Sequence, residues 1–338
     1  MKALIAFITL LYSVTLSAQE RITLLFAGDL MQHQAQIDAA RTSEGKYDYQ
    51  SCFSLVKDQI SRADLAIGNL EVTLAGKPYN GYPTFSAPDE YLQAIKDAGF
   101  DLLMTANNHC LDRGKKGLER TIFMLDSLQM AHAGTYRNAS ERKQQYPVVI
   151  CKKGFRIALL NYTYGTNGIK VTAPNIVNYI DKEIILQDIR NAQVHRPDAV
   201  IAIMHWGEEY VLLPVASERR HADFLRRCGV EMIIGGHPHV VQPLRLTADR
   251  YASGRVTVYS LGNLISNMKT RDTRGGAMAE VRLRRDSVGK AYVDTAFYHL
   301  VYTVPPSAAQ RNFAVMPIDS VPRQWAERAR AFQSALKP

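Results

Sequence analysis

The chain has 338 residues, 46% of them apolar and 9% aromatic, which is enough to fill a sizeable core and excludes wholesale disorder. A formal charge of +9 suits anionic partners, yet no basic run interleaved with aromatics is present, so nucleic acid is excluded as the expected partner. Four widely spaced cysteines without a CxxC pair fall far short of a disulfide-built scaffold and read mostly as buried free thiols.

The chain opens with Lys2, an apolar run from Ala3 to Leu16, and Leu16-Ser17-Ala18 ahead of the polar Gln19-Glu20. That layout predicts a signal peptide over residues 1–18, cut after Ala18, and an exported protein left soluble in the periplasm or outside the cell. The run is short of the roughly 20 residues a membrane span needs, and no second one follows. Losing Lys2 takes the charge from +9 to +8.

Strands are then expected over 21–26, ending at Ala27-Gly28-Asp29, and over 64–67, ending at Gly68-Asn69, with a helix over 50–60 between them. A helix over 89–98 starts after Pro88, and a strand over 100–105 ends at Asn107-Asn108-His109. A helix over 117–130 precedes a strand pair, 146–151 and 155–161, turning at Lys153-Gly154. After a loop over 164–178 come a helix over 182–194, a strand over 199–204 ending at His205-Trp206-Gly207, and a helix over 217–227. The strand over 230–234 ends at Gly235-Gly236-His237, and that over 255–260 ends at Leu261-Gly262-Asn263. This alternation indicates an α/β layered fold. Residues 19–275 read as the main domain, and residues 276–338 as a strand pair (277–285, 291–302) and a basic helix (321–335) packed on that same domain.

Five apolar strands end in potential metal or phosphate ligands: Asp29, Asn69 with Glu71, Asn108 with His109, His205, and His237 with His239. Carboxyl ends of strands gather ligands in one crevice, and carboxylate, amide oxygen and imidazole are the usual donors to zinc, manganese or iron. Taken singly, each has a bland reading; His205 alone reads as a core histidine. The joint occurrence, in order, points to one or two divalent metal ions. His132, His195, His221 and His299 lie away from these tips and read as surface or core histidines.

The succession Gly28-Asp29, Asn69-Leu70-Glu71, Ala106-Asn107-Asn108-His109 with Asp112 and Gly114, His205-Trp206-Gly207-Glu208, Gly236-His237-Pro238-His239-Val240 and Tyr259-Ser260-Leu261-Gly262-Asn263 resembles the CapA family. These are poly-γ-glutamate capsule synthesis proteins related in fold to calcineurin-like metallophosphoesterases. The resemblance implies a four-layer α/β/β/α sandwich of the metallophosphoesterase type, here with a C-terminal strand pair and helix. Where other metallophosphoesterases have Asp-x-His, this chain has Asp29 followed by Met31, with His33 two positions too late; where they have a bridging Asp, it has Asn69, with Glu71 the nearest carboxylate. The resemblance therefore implies one metal position furnished by Asn108, His205 and His237 with Glu71, and a second, with Asp29 and His239, that lacks a ligand. Asn69 and Asp112 are expected to support these groups.

If metal binds, its coordinated water is expected to become a hydroxide nucleophile near neutral pH, with His109 as proton donor to the leaving group and Arg113 and Glu208 on the substrate side. Two classes of function remain open. One is a metal-dependent hydrolase acting on a phosphoester or a γ-glutamyl amide. The other is a non-catalytic component of an envelope assembly that binds an anionic polymer beside other biosynthesis proteins.

Overall fold

Residues 20–247 and 254–336 are described by a computed structural model; the expected signal peptide lies outside them. β1 (Arg21–Leu30) is followed by α1 (Gln34–Ala40), α2 (Lys57–Ser61), β2 (Leu65–Leu70), α3 (Asp89–Asp97), β3 (Leu102–Met104), α4 (Gly114–Ser127), β4 (Ala131–Ala133) and β5 (Thr135–Tyr136). Next come α5 (Ala139–Gln145), β6 (Val148–Lys152), β7 (Phe155–Thr163), β8 (Ile176–Val177), α6 (Lys182–Val194), β9 (Ala199–His205), α7 (Ala216–Arg227) and β10 (Met232–Gly236). The remainder is β11 (Leu244–Thr247), β12 (Arg255–Val258), β13 (Asn263–Ile265), α8 (Arg271–Arg274), β14 (Gly275–Arg285), β15 (Ala291–Val304), β16 (Ala314–Pro317) and α9 (Arg323–Ala335).

Two sheets form the centre. The first runs β16-β15-β14-β1-β2-β3-β4, with β13 also paired to β1; the second runs β11-β12-β10-β9-β7-β6. β1 shows why the layers form. Leu24 and Phe26 face the second sheet, packing with Ile157, Leu159, Ile201 and Ile203, whereas Leu25 and Ala27 face Phe53, Ile60, Leu92 and Ile95 on the helical side. Four consecutive apolar residues, Leu24 to Ala27, put apolar side chains on both faces of the strand, so both must be covered. α6 and α7 cover the outer face of the second sheet through Ile185, Ile189, Ala222 and Leu225, completing an α/β/β/α sandwich. The turn expected at Lys153-Gly154 is a two-residue hairpin with both residues at positive φ, closing Lys152 onto Phe155.

The late strand pair is integral to the first sheet. β14 pairs antiparallel with β1 from Arg21↔Arg284 to Ala27↔Met278, so it sits beside the central parallel strand, and β15 and β16 extend the sheet beyond it. Alternating hydrophobicity reveals a strand but not a partner some 250 positions away in sequence. The expected helix over 50–60 is a 3-10 turn at Gln50–Cys52 followed by the short α2. The Ser54 hydroxyl bonds back to the Ser51 carbonyl between them, the local competition by which serine weakens helices. α5 has no buried residue and so no hydrophobic period to read; the Asn138 side chain caps it at the Glu141 N–H.

All four cysteines are free; Cys52 and Cys110 are buried, while Cys151 is exposed. No described helix is long and apolar enough to cross a membrane.

At the start of α7, Glu218 accepts the Val215 N–H at 2.5 Å, but its Oε1 is buried with no partner. Burial raises its carboxyl to about 7, the Val215 bond only partly opposing. A carboxyl raised on folding stabilises the protein below its unfolded pKa of about 4.5, and that contribution is lost as pH climbs through 7. Glu218→Gln is expected to be neutral near pH 5 and stabilising by about 2 kcal/mol at pH 8, read from urea unfolding at both pH values.

Candidate metal centre

β1 would carry Asp29 past the crevice if it ran regularly. Instead its register against β2 slips from Phe26↔Ile67 to Asp29↔Asn69, three residues against two, a bulge that re-aims the following side chain. Asp29 also pairs with Asn263 on its other flank. The bulge lies against the turn before β13: the Asp29 N–H donates to the Gly262 carbonyl at 2.9 Å, and a Cβ at Gly28 would stand 2.0 Å from that oxygen. Only glycine permits this approach.

Asp29 is fully buried; its Oδ1 accepts the Asn69 amide at 2.8 Å and its Oδ2 lies 3.4 Å from His239 Nδ1. Burial works to raise its pKa, but the His239 hydrogen bond together with the charges of His205 and His239 outweighs it, holding the carboxyl at about 2. Glu71, just past β2, is also fully buried and goes the other way. Burial and the neighbouring Asp29 raise it well above the usual carboxylate range, and its Oε1 has no hydrogen-bond partner.

That Oε1 lies 3.6 Å from His205 Nε2 and 4.0 Å from His239 Nε2. His205, at the last position of β9, is held by Asn108 Oδ1 at 2.8 Å from Nε2. Burial, then the adjacent His237, pushes its pKa well below the ordinary histidine value.

β10 delivers the Gly236-His237-Pro238-His239 turn, in which His237 has φ +97° and His239 has φ +58°. Non-glycine residues in this region carry strain that the surroundings must hold in place. The turn is pinned by the His239 Nδ1–Asn263 Oδ1 contact at 2.9 Å. His237 Nδ1 is buried and unpartnered, and burial followed by the charge of His239 lowers its pKa to about 4.

The donor atoms fall into overlapping sets, each within 4.8 Å: Glu71, His205 and His237; Asp29, Glu71 and His239; and Glu209, His237 and His239. Glu71 belongs to two of them, so one carboxylate is common to both sets. Unpaired Glu71 Oε1 and His237 Nδ1, both buried in this cluster, fit a bound divalent cation: each is a polar atom that is costly to bury without a partner and a lone pair for a metal.

Next to this cluster, His109 Nδ1 lies 2.7 Å from Asp112 Oδ2, the same oxygen that accepts the Phe85 N–H at 2.7 Å. Burial raises the Asp112 pKa even though the His109 bond opposes it. The His109 ring meets Phe85 edge-on with centroids 4.6 Å apart. Arg113 is half-buried at the N-cap of α4, and its charge reaches Asp112. Glu208 is exposed; its neighbour Glu209 is the one that approaches His237 and His239.

Met31 is 1% exposed in the helix-side core, and His33 accepts the Asn267 N–H at 3.2 Å, so neither occupies the place of the missing histidine. His132 and His299 pair with Asp126 and Glu280, away from the cluster. Roles for Asn107 and Asn263 were not readable from their residue types. Asn107 bonds Asn69 Oδ1 and the Leu70 carbonyl, fixing the Asn69 amide on Asp29. The repeated Asn at strand tips was the available signal.

Imidazoles and carboxylates from strands of two packed sheets, gathered around one carboxylate, define a protein of the calcineurin-like metallophosphoesterase fold. Solved structures agree. The chain is similar to a Staphylococcus aureus protein assigned as a 5'-nucleotidase, with TM-score 0.53, 14% identity, and 93% of this chain and 58% of that one covered. It is likewise similar to the NAD nucleotidase of Haemophilus influenzae, with TM-score 0.52, 11% identity, and 94% of this chain and 63% of that one covered.

Within that fold, the chain belongs to the bacterial capsule synthesis protein PGA_cap family, whose model matches residues 23–268. It is 27% identical over 294 residues to the PGA biosynthesis protein CapA of Bacillus subtilis, covering 83% of this chain and 72% of that relative. It spans less than two thirds of the two nucleotidases.

Proposed function

We propose that this protein is an exported, metal-dependent hydrolase of cell-envelope polymer metabolism that cleaves a phosphoester or a γ-glutamyl amide. The observation that carries this reading is the shared Glu71 Oε1, buried without a partner between His205 and His239. His205, His237 and Glu71, with Asn108, would hold one divalent ion; Asp29, His239 and the same Glu71 would hold a second. A bound divalent metal supplies Lewis acidity, polarising the bond under attack and easing deprotonation of water.

The chain's own residues do the rest. Asp112 orients His109 through Nδ1, which leaves Nε2 to carry a proton to the departing group. The Phe85 ring fixes the imidazole plane and keeps water from that side. Tyr164, 4.5 Å from His237 between ring centroids, and Tyr210, 6.2 Å from His239, stand half-exposed over the cluster and would bound the substrate. Pockets of this kind pair apolar walls with a few aimed polar groups.

A second reading, an envelope component that binds an anionic polymer without cleaving it, is favoured by one departure: Met31 stands in the sequence where a histidine would complete the first ligand block, and its side chain packs into the helix-side core instead. Elemental analysis of the purified protein decides between them when joined to assays on a phosphodiester and a γ-glutamyl dipeptide. The hydrolase reading expects bound metal and turnover that falls at least about 100-fold in Asp29→Asn and His237→Ala. No metal, or turnover unchanged in both variants, removes it.

A further inference from the structure

A second group of buried donors without partners lies where α8 meets α9. Arg274, the last residue of α8, is only 6% exposed, and neither its Nε nor its Nη1 has a hydrogen-bond partner. Tyr302 is fully buried opposite Gly275 on the adjacent strand, and its hydroxyl is unpartnered too. The Arg274 guanidinium lies 5.1 Å from the centre of the Trp325 ring, and Arg328 lies 5.6 Å from the same ring. Trp325 is the third residue of α9, a 13-residue helix whose N-cap, Pro322, offers no side-chain cap and whose first turn holds no acid.

The nearby carboxylate is spent: Asp272 takes Arg271 through both oxygens, at 2.6 and 2.7 Å. Among the described residues, neither Arg274 nor Arg328 has a carboxylate partner. A cation over an aromatic ring is only partly compensated, and burying a charge without a counter-ion costs more than the ring returns. Two guanidinium groups on one ring add mutual repulsion. The buried Arg274 donors, the exposed Arg328 guanidinium above the same ring, the tyrosine hydroxyl and a helix start without a side-chain cap, where the Trp325 N–H is taken by the Pro322 carbonyl, together suit a compact anion.

We propose that Arg274, Arg328, the Tyr302 hydroxyl and the uncapped first turn of α9 form a binding site for an oxyanion, the phosphate or carboxylate group of a ligand. The site is distinct from the imidazole cluster but linked to it. The carbonyl of Thr273, next to Arg274, accepts the Asn263 amide at 3.0 Å, and Asn263 Oδ1 meets His239 Nδ1 at 2.9 Å. The proposal does not depend on the hydrolase reading.

The test is calorimetric titration of the full chain with inorganic phosphate, in wild type and in Glu71→Gln, the latter removing phosphate bound through metal at the cluster. The expected result is saturable binding in both, with a dissociation constant of about 1 mM or tighter, weakening as salt is raised. Arg328→Ala is expected to weaken it at least about tenfold while keeping the parent's melting temperature in phosphate-free buffer, and Tyr302→Phe to weaken it less. Competition by glutarate identifies a carboxylate ligand and its absence a phosphate one; either keeps the site. No saturable phosphate binding in Glu71→Gln, or Arg328→Ala titrating like its parent, overturns it. Arg274 also docks α9, so its own substitution is not the deciding variant.

Discussion

Glu71→Gln is expected to empty both metal positions, lowering affinity at each by about 100-fold or more, where Asp29→Asn or Asn108→Ala depletes one. The reason is geometric: among the described residues, Glu71 is the one carboxylate grouped both with His205 and His237 and with Asp29 and His239. Elemental analysis after dialysis against limiting metal reads the stoichiometry directly. Equal metal content in wild type and variant would remove Glu71 from the shared position.

The same variant carries a stability signature with a definite sign. Burial and the nearby Asp29 raise the Glu71 pKa on folding, so its contribution in metal-free protein is present below about pH 4.5 and lost as pH rises through the raised value. Metal-free Glu71→Gln is expected to melt above metal-free wild type at pH 8, and below it once metal is added, because metal needs the carboxylate charge. Scanning calorimetry with and without chelator shows whether the order reverses.

His109→Ala is expected to lower kcat by 10²- to 10⁴-fold, about the range of general acid catalysis, while leaving metal content intact. His109 touches Asp112 and Phe85 and belongs to none of the three donor sets found among the described residues. The loss should be large for substrates with an alcohol or amine leaving group and small for p-nitrophenyl esters, whose phenolate departs without a proton. Asp112→Asn, which disturbs the orientation of the imidazole, is expected to fall between wild type and His109→Ala. A uniform loss across leaving groups would make His109 a structural residue.

Much of this protein was legible in one dimension because strand-then-helix alternation is a local pattern. The apolar runs before Asp29, Asn69, Asn108, His205 and His237 marked strands whose tips all carry donors, and parallel strands put such tips at one edge. Resemblance to a family supplied the layering, and the two packed sheets carry it. The same local reading put residues 276–338 on the main domain as a strand pair and helix but could not say which strand they join; β14 lies directly against β1. Hydrophobic alternation has no memory of distance, so pairing between chain ends is invisible to it. That reading named Glu208 but not its neighbour Glu209, which is also exposed and which the chain turn after His205 brings to His237 and His239.

Sequence by itself determined which residue types stand at which strand ends, and so the kind of chemistry the crevice can hold. Tertiary structure alone decided how they share. The bulge before Asp29 turns that carboxylate toward His239; the strained turn after β10 swings His237 toward His205; Glu71 is left between them, fully buried with one oxygen unpaired. Sharing depends on distances of a few ångströms between side chains from separate strands, and those are fixed by sheet register and backbone bulges, which residue identity does not encode locally.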